Sequence, residues 1–371
     1  MIKILHTGDF HLDSPFTGVD FPTAERLRNE LRNIFIDVVE LAASHDMMLI
    51  SGDLFDCGYV NPDTLALVRD SLEAYGRPVV IAPGNHDPYS PGSIWTAAGW
   101  SDNVHIFDKD ELGVFKFNIG KHRVAVYGWG FTSPALERSP LSDGITPDPD
   151  AINLICAHAD TASPISRYAP TPLSLFSVSG CDYAALGHIH NTPETVRAGR
   201  TTVAYCGFPE GRSYDEEGDG GVLSVTLSEG KVHEIRKIIT SHHKYFTRQL
   251  DITGADSDSE VAARLSELAV REECGEDVSL KVYLCGSIPP DYAPNFSQIE
   301  KLAGLSVCSL MLRDRTSPVF GAEYLENDMS IKGELYRTLL PRLNSSDAQE
   351  RALAAEALRI GLLALDGRAF T

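Results

Sequence analysis

The sequence predicts an α/β protein: mixed sheets with helices on the outside, then a smaller alternating module and terminal helices. Three observations predict it. Residues 1–82 alternate strand and helix signals, residues 114–227 shift to a succession of strands, and alternation returns past residue 245.

Residues 2–7 form an apolar run that ends at Gly8-Asp9 and reads as a strand. Leu27, Leu31, Ile34, Val38 and Leu41 then recur at steps of four and three, the spacing of one helix face. A second apolar run, Met47 to Ser51, stops at Gly52-Asp53, and a helical stretch from Asp63 to Tyr75 follows. A third strand, Pro78 to Ala82, ends at Gly84-Asn85-His86-Asp87. Such alternation implies right-handed crossovers and parallel strands. Strands are next expected at Val114 to Ile119, Arg123 to Trp129, Ile152 to His158, Tyr183 to Leu186, Thr202 to Cys206 and Gly221 to Leu227. They close a first domain at residues 1–240, with Ser241-His242-His243-Lys244 as a hinge. Beyond it, Tyr245 to Ile252, Val278 to Leu284 and Val307 to Leu312 read as strands, and Ser259 to Glu273 and Phe296 to Leu302 as helices. Residues 245–325 are therefore expected to form a small α/β cap. Two helices, Ser330 to Leu343 and Ser346 to Leu365, make residues 330–371 a helical segment.

At 371 residues the chain is too long for one average domain, and division by about 150 gives two or three. A hydrophobic content of 43% supplies a sizeable core and excludes disorder throughout. The start carries no signal-peptide pattern, and nowhere do about 18 uncharged apolar residues follow one another, so a soluble cytoplasmic protein without a membrane span is expected. Seven cysteines (57, 156, 181, 206, 274, 285 and 308) are scattered without C-x-x-C pairs and read as reduced thiols. The formal charge of −20 counts against a broad basic surface, so any DNA contact must be local, metal-assisted or shared with a partner.

The chemistry lies where polar residues follow apolar runs. Asp9 and His11 follow the first strand, Asp53 the second, and Asn85, His86 and Asp87 the third. His158 ends Leu154-Ile155-Cys156-Ala157-His158, and His188 and His190 follow Tyr183 to Gly187. The carboxyl ends of strands in open α/β sheets face a common crevice, so these side chains should converge there. Gly8, Gly52, Gly84 and Gly187 are expected to supply the tight turns. Oxygen and imidazole donors without thiolate suit Mn²⁺, Fe or Zn²⁺ in a two-metal site, and the central Asp53 could bridge two ions.

The series GDFH, GDLFD, GNHD, AHAD and GHIH resembles the calcineurin-like metallophosphoesterase superfamily. The longer stretches GDFHLDSPF, APGNHDP and GFPEGRSYDEEGDGG resemble the nuclease subunits of SbcC–SbcD-type DNA repair complexes, most of all their YhaO-type bacterial branch. The resemblance covers residues 1–240 and fades beyond. It implies a sandwich of two mixed sheets flanked by helices, followed by the cap and terminal helices. It further implies that Asp9, His11 and His190 hold one metal and Asn85, His158 and His188 the other, with Asp53 bridging. His86 would sit at the scissile phosphate as stabiliser or proton donor. Asp87 would orient it or cap a turn, and Asp56 would orient His86 or serve a turn. Ala157 stands where the family commonly has glycine, and is small enough to keep the turn. The implied activity is a Mn²⁺-dependent DNA nuclease, an exonuclease working in repair by in-line attack of a metal-bridging hydroxide. The implied partners are DNA, an SMC-like coiled-coil ATPase held by the terminal helices (Leu353, Ala357, Ile360 and Leu363 to Leu365) and a second copy in a homodimer. A small-molecule phosphodiesterase or phosphatase of the same superfamily and a non-catalytic scaffold stand beside this reading. Phe10, Phe16 and Tyr89 are expected to pack or to stack on a base, and Arg212 and Tyr214 to meet a phosphate or lie at the surface.

Overall fold

A computed structural model describes residues 1–17, 20–56, 60–97, 99–191, 195–228, 230–289, 292–318 and 322–365. Cys57 and the last six residues of the expected terminal segment, 366–371, lie outside the described residues. The chain divides into two compact units, Met1–Lys244 and Tyr245–Thr371.

In the first unit, β1 (Ile2–Thr7), α1 (Phe21–Ala42), β2 (Met47–Ile50), α2 (Pro62–Tyr75) and β3 (Val79–Ile81) alternate as the sequence predicts. The Asp20 carboxylate caps α1 by accepting from Thr23 N (2.9 Å), Asn61 caps α2, and Gly76 closes α2 at φ +65°. A short helix α3 (Ile94–Ala97) and strands β4 (Val104–Ile106), β5 (Gly113–Ile119), β6 (His122–Gly128) and β7 (Ile152–His158) come next. They are followed by α4 (Leu173–Ser179), β8 (Tyr183–Gly187), β9 (Val196–Ala198), β10 (Thr201–Tyr205), β11 (Gly221–Ser228) and β12 (Lys231–Ile239).

These strands make two six-stranded mixed sheets, ordered β12-β11-β1-β2-β3-β4 and β5-β6-β7-β8-β10-β9. In the first, β1 to β4 run parallel, and β11 joins β1 antiparallel from far along the chain. In the second, β6, β7, β8 and β10 run parallel, with antiparallel edges. Alternation along the strands builds the layers. Ile2, Ile4, Met47 and Leu49 face one way and pack with Val124, Val126, Ile152 and Leu154 between the sheets. Leu5, Met48 and Ile50 face the other way, onto Leu31, Ile34, Phe35 and Val38 of α1 and Val68 and Leu72 of α2. Trp129, Phe131 and Phe176 cover the outer face of the second sheet. Strands β4, β9 and β12 and helix α4 escape the sequence reading: β4 and β9 have three residues each, α4 has seven, and β12 is exposed at two of every three positions and buried at none.

The segment read as a hinge, Ser241 to Lys244, ends the first unit. The buried Glu210 carboxylate accepts from the backbone N–H groups of Gly211 (3.2 Å), His242 (2.7 Å) and His243 (3.1 Å). Ser241 N–H and Gly220 N–H also bind across to Gly220 O and Ser241 Oγ.

The second unit holds β13 (Lys244–Asp251), α5 (Asp258–Arg271), β14 (Val278–Ile288), α6 (Phe296–Ala303) and β15 (Ser309–Pro318), with sheet order β13-β14-β15 and its own core around Leu265, Leu280, Val282 and Ile299. Helices α7 (Ala322–Asn327), α8 (Ile331–Leu343) and α9 (Ala348–Leu365) pack on one another through Leu325, Tyr336 and Leu362. Among the described residues no helix is long and apolar enough to cross a membrane. The described cysteines are free thiols.

Candidate metal centre

The loops after β1 and β2 run side by side: Asp9 N–H donates to Gly52 O (2.9 Å), His11 N–H to Asp53 O (3.0 Å) and Leu12 N–H to Leu54 O (3.0 Å). Asp9, His11 and Asp53 sit at φ +50°, +46° and +47°, and His188 at +104°. Non-glycine residues held there cost about 1–3 kcal/mol each, so the surrounding fold sustains strain at the crevice. The expected role of the motif glycines needs correction. Only Gly52 (φ +99°) supplies a left-handed turn, and a Cβ on it would also fall 2.4 Å from His158 Nδ1. At Gly84 a Cβ would fall 2.1 Å from Asp53 Oδ1, so that glycine provides room. Gly84→Ala is expected to displace the Asp53 carboxylate, costing about 1–3 kcal/mol of stability from overpacking and weakening metal binding. Melting curves with and without Mn²⁺ check both effects.

Loops from both sheets bring the predicted donors together. Three groups have donor atoms within 4.8 Å of one another: Asp9, His11 and His190; His11, Asp53 and His86; and Asp9, Asp53 and His158. His190 Nε2 is 3.4 Å from Asp9 Oδ1, His158 Nε2 is 3.3 Å from Asp53 Oδ2, and His11 Nε2 is 3.6 Å from Asp53 Oδ2. Asn85 Oδ1 lies 3.0 Å from His158 Nε2. The His188 ring is 5.1 Å from that of His158, its backbone N–H donates to Asp9 Oδ2 (3.1 Å), and the half-exposed Tyr168 packs on its other side.

Two features say that cations fit here. His11 is 1% exposed, yet neither ring nitrogen has a hydrogen-bond partner, an arrangement that costs about 1–3 kcal/mol per buried group unless something else binds it. His158 Nδ1–H donates to Ser51 O (3.0 Å), which turns its Nε2 toward Asn85 Oδ1 and Asp53 Oδ2, two acceptors. An imidazole lone pair facing two oxygens is repulsive unless a proton or a metal ion lies between them. Without metal the proton serves: burial alone would lower the His158 pKa, but Asp53 and Asp9 lift it to about 9. His190 follows the same logic, rising to about 10 as Asp9 and Glu216 outweigh burial. Burial would raise Asp53, yet the charges of His158 and His11 hold it below the usual carboxylate range.

The assignment of Asp87 as the residue that orients His86 is not what the structure shows. Both Asp87 oxygens are taken by backbone N–H groups, of Gly84 (2.7 Å), Leu54 (2.8 Å) and Phe55 (3.2 Å). It clamps the β2 and β3 loops together. His86 instead donates from Nδ1 to Asp56 Oδ1 at 2.8 Å, and that bond raises its pKa. The His86 backbone N–H donates to Asp53 Oδ1 (2.9 Å), which fixes its place beside the donor groups. Arg212 is held by Glu216, a 2%-exposed carboxylate that also meets His190 Nδ1 at 2.8 Å. The sequence reading missed Glu216 because it lies in an acid-rich loop, where nothing local marks one carboxylate over its neighbours. Phe10 is buried against Phe35, and Phe16 and Tyr89 pack on the same core.

The sequence model of the family described as calcineurin-like phosphoesterase matches residues 2–192, just over half of the chain. An uncharacterized metallophosphoesterase, YhaO of Bacillus subtilis (strain 168), is 28% identical over 244 residues, which is 62% of this chain and 59% of the relative. The chain thus matches less than two thirds of that relative's length. Among solved structures, a dimetal phosphatase from Danio rerio aligns over 65% of this chain and 99% of its own, with a TM-score of 0.41 and 13% identity.

Proposed function

The chain belongs to the calcineurin-like phosphoesterase family, and on that premise we propose that it hydrolyses phosphodiester bonds with two divalent metal ions and that its substrate is DNA. The observation that carries the two-metal reading is the buried His11, whose ring nitrogens face carboxylates at 3.6 and 3.9 Å without a hydrogen bond, among carboxylates and imidazoles from five strand ends. Asp9, His11 and His190 would hold one ion and Asn85, His158 and His188 the other, with Asp53 shared by both. Two divalent ions held there would supply a water of lowered pKa and positive charge for the phosphoryl oxygens. Mn²⁺ suits the donor set, and Fe or Zn²⁺ also fits it.

The residues supply the rest. His86 has Nδ1 engaged by Asp56, so Nε2 is the atom that gives a proton to the leaving oxygen, and Asp56 stabilises the charged ring. His86 is 39% exposed on its side chain while His11, Asp9 and Asp53 are buried, which supports a substrate phosphate reaching this side of the crevice. Strained, buried loops keep the donors aimed without reorganisation.

DNA as substrate rests on the extended motifs GDFHLDSPF and GFPEGRSYDEEGDGG, and so does the role as an exonuclease in repair. Leu353 and Ile360 on α9 remain exposed, which supports α9 as the docking element for a coiled-coil ATPase. A small diester as substrate is the second reading, favoured by the charge of −20. Purified protein with Mn²⁺ is to be offered linear duplex DNA, single strands and bis-p-nitrophenyl phosphate side by side. The proposal expects all diesters to be cut, with DNA digestion suppressed steeply by salt. Turnover of the small diester alone, at any salt, would overturn the DNA assignment.

A further inference from the structure

The loop between β10 and β11 carries a buried carboxylate that the chemistry above does not use. Glu216 is 2% exposed. Its Oε1 lies 2.8 Å from His190 Nδ1, and His190 turns Nε2 toward Asp9 Oδ1 at 3.4 Å. On its other side Arg212 binds the same carboxylate through its backbone N–H (2.7 Å), through Nε (3.1 Å) and through Nη2. The loop is pinned beside the second His of the pair, since Asn191 Nδ2 donates to Asp215 O (2.8 Å).

Two physical points decide what this arrangement does. A loop staple needs only the Arg212 pair, yet Glu216 also takes the one nitrogen of His190 that faces away from Asp9. An imidazole that binds a metal through one nitrogen needs its other N–H held by an acceptor, which fixes both tautomer and ring orientation and raises the basicity of the binding nitrogen. Second, the crevice already gathers Asp9, Asp53 and Asp56, and a further buried anion would be costly unless paired. Arg212 supplies that pairing through its backbone N–H, Nε and Nη2.

We propose that Glu216 is a positioning residue of the metal centre: held by Arg212, it accepts the Nδ1 proton of His190 and so sets the affinity of the site made by Asp9, His11 and His190. The proposal rests on the reading of His190 as a ligand. It also replaces the expectation that Arg212 meets a substrate phosphate, because the Nε–Nη2 edge of the guanidinium is committed to Glu216.

The test is a calorimetric titration of the full chain with Mn²⁺, beside melting curves of the metal-free protein. The wild type is expected to show two sites. Glu216→Gln should weaken one of them about 10–100-fold and leave the other within about twofold. Glu216→Asp keeps the charge for Arg212 but is one methylene shorter, so it should fold and show the same one-site loss. Unchanged affinities at both sites in either variant would overturn the proposal. Equal weakening of both sites together with a lower melting temperature would also overturn it, by showing Glu216 to be a loop staple. Two intact sites in the wild type separate these outcomes from failure of the metal reading itself, in which the wild type binds no Mn²⁺ and both ideas fall.

Discussion

Asp53→Asn is expected to abolish stabilisation by divalent metal while leaving a folded protein. Asp53, like Asp9 and His11, is shared by two of the three donor groups, and it lies 3.3 Å from His158 and 3.6 Å from His11. Asparagine keeps the volume and one oxygen, so the His86 N–H to Oδ1 bond of 2.9 Å can survive. What it loses is the negative charge that the proposed two-metal reading shares between both ions. A ligand present at about a hundred times its dissociation constant stabilises the native state by about 2.7 kcal/mol. The wild type should therefore melt at a higher temperature in excess Mn²⁺ than in chelator, and Asp53→Asn should melt at the same temperature in both. Diester hydrolysis should fall at least as far as it does on loss of His86, because in the proposed centre both ions would depend on this carboxylate. A variant that still gains wild-type stabilisation from Mn²⁺ would remove Asp53 from the centre.

His86→Ala is expected to do the opposite to the metals. Activity on a chromogenic diester should fall about 10²–10⁴-fold, the usual cost of a positioned acid or base. That corresponds to about 2.7–5.4 kcal/mol at the transition state. Metal content should stay near wild type, because His86 Nδ1 is already engaged by Asp56 and the remaining donors are in place. His86 also falls within one donor group, with His11 and Asp53, so the measurement discriminates. Parallel loss of metal and activity would make His86 a ligand. Asp56→Asn should reproduce part of the activity loss, since the neutral partner no longer favours the charged ring. Asp87→Asn should act mainly on stability, because Asp87 meets three backbone N–H groups and not the imidazole.

What the sequence by itself determined is local. Apolar runs of four to seven residues ending in Gly-Asp, Gly-Asn-His-Asp or Gly-His-Ile-His placed the donors at strand ends, since residues directly after a strand must turn there. The four-and-three spacing of Leu27, Leu31, Ile34 and Val38 marked a buried helix face, and all four are buried. Donor chemistry likewise needs only residue type, which is why an oxygen and imidazole set pointed to hard or borderline metals.

What only the tertiary structure decided is which group meets which. Asp87 adjoins His86 in sequence yet points into the β2 and β3 loops, while Asp56, thirty positions away, holds the ring. Glu216 reaches His190 from a separate loop, and β11 lies beside β1 across more than two hundred residues. Strand pairing and loop packing over such separations set side-chain directions, and a period of two or 3.6 carries no information about them. The strain at Asp9, His11 and Asp53 is of the same kind: a left-handed aspartate is unfavourable in isolation, and the crossing hydrogen bonds between the β1 and β2 loops make it the native state here.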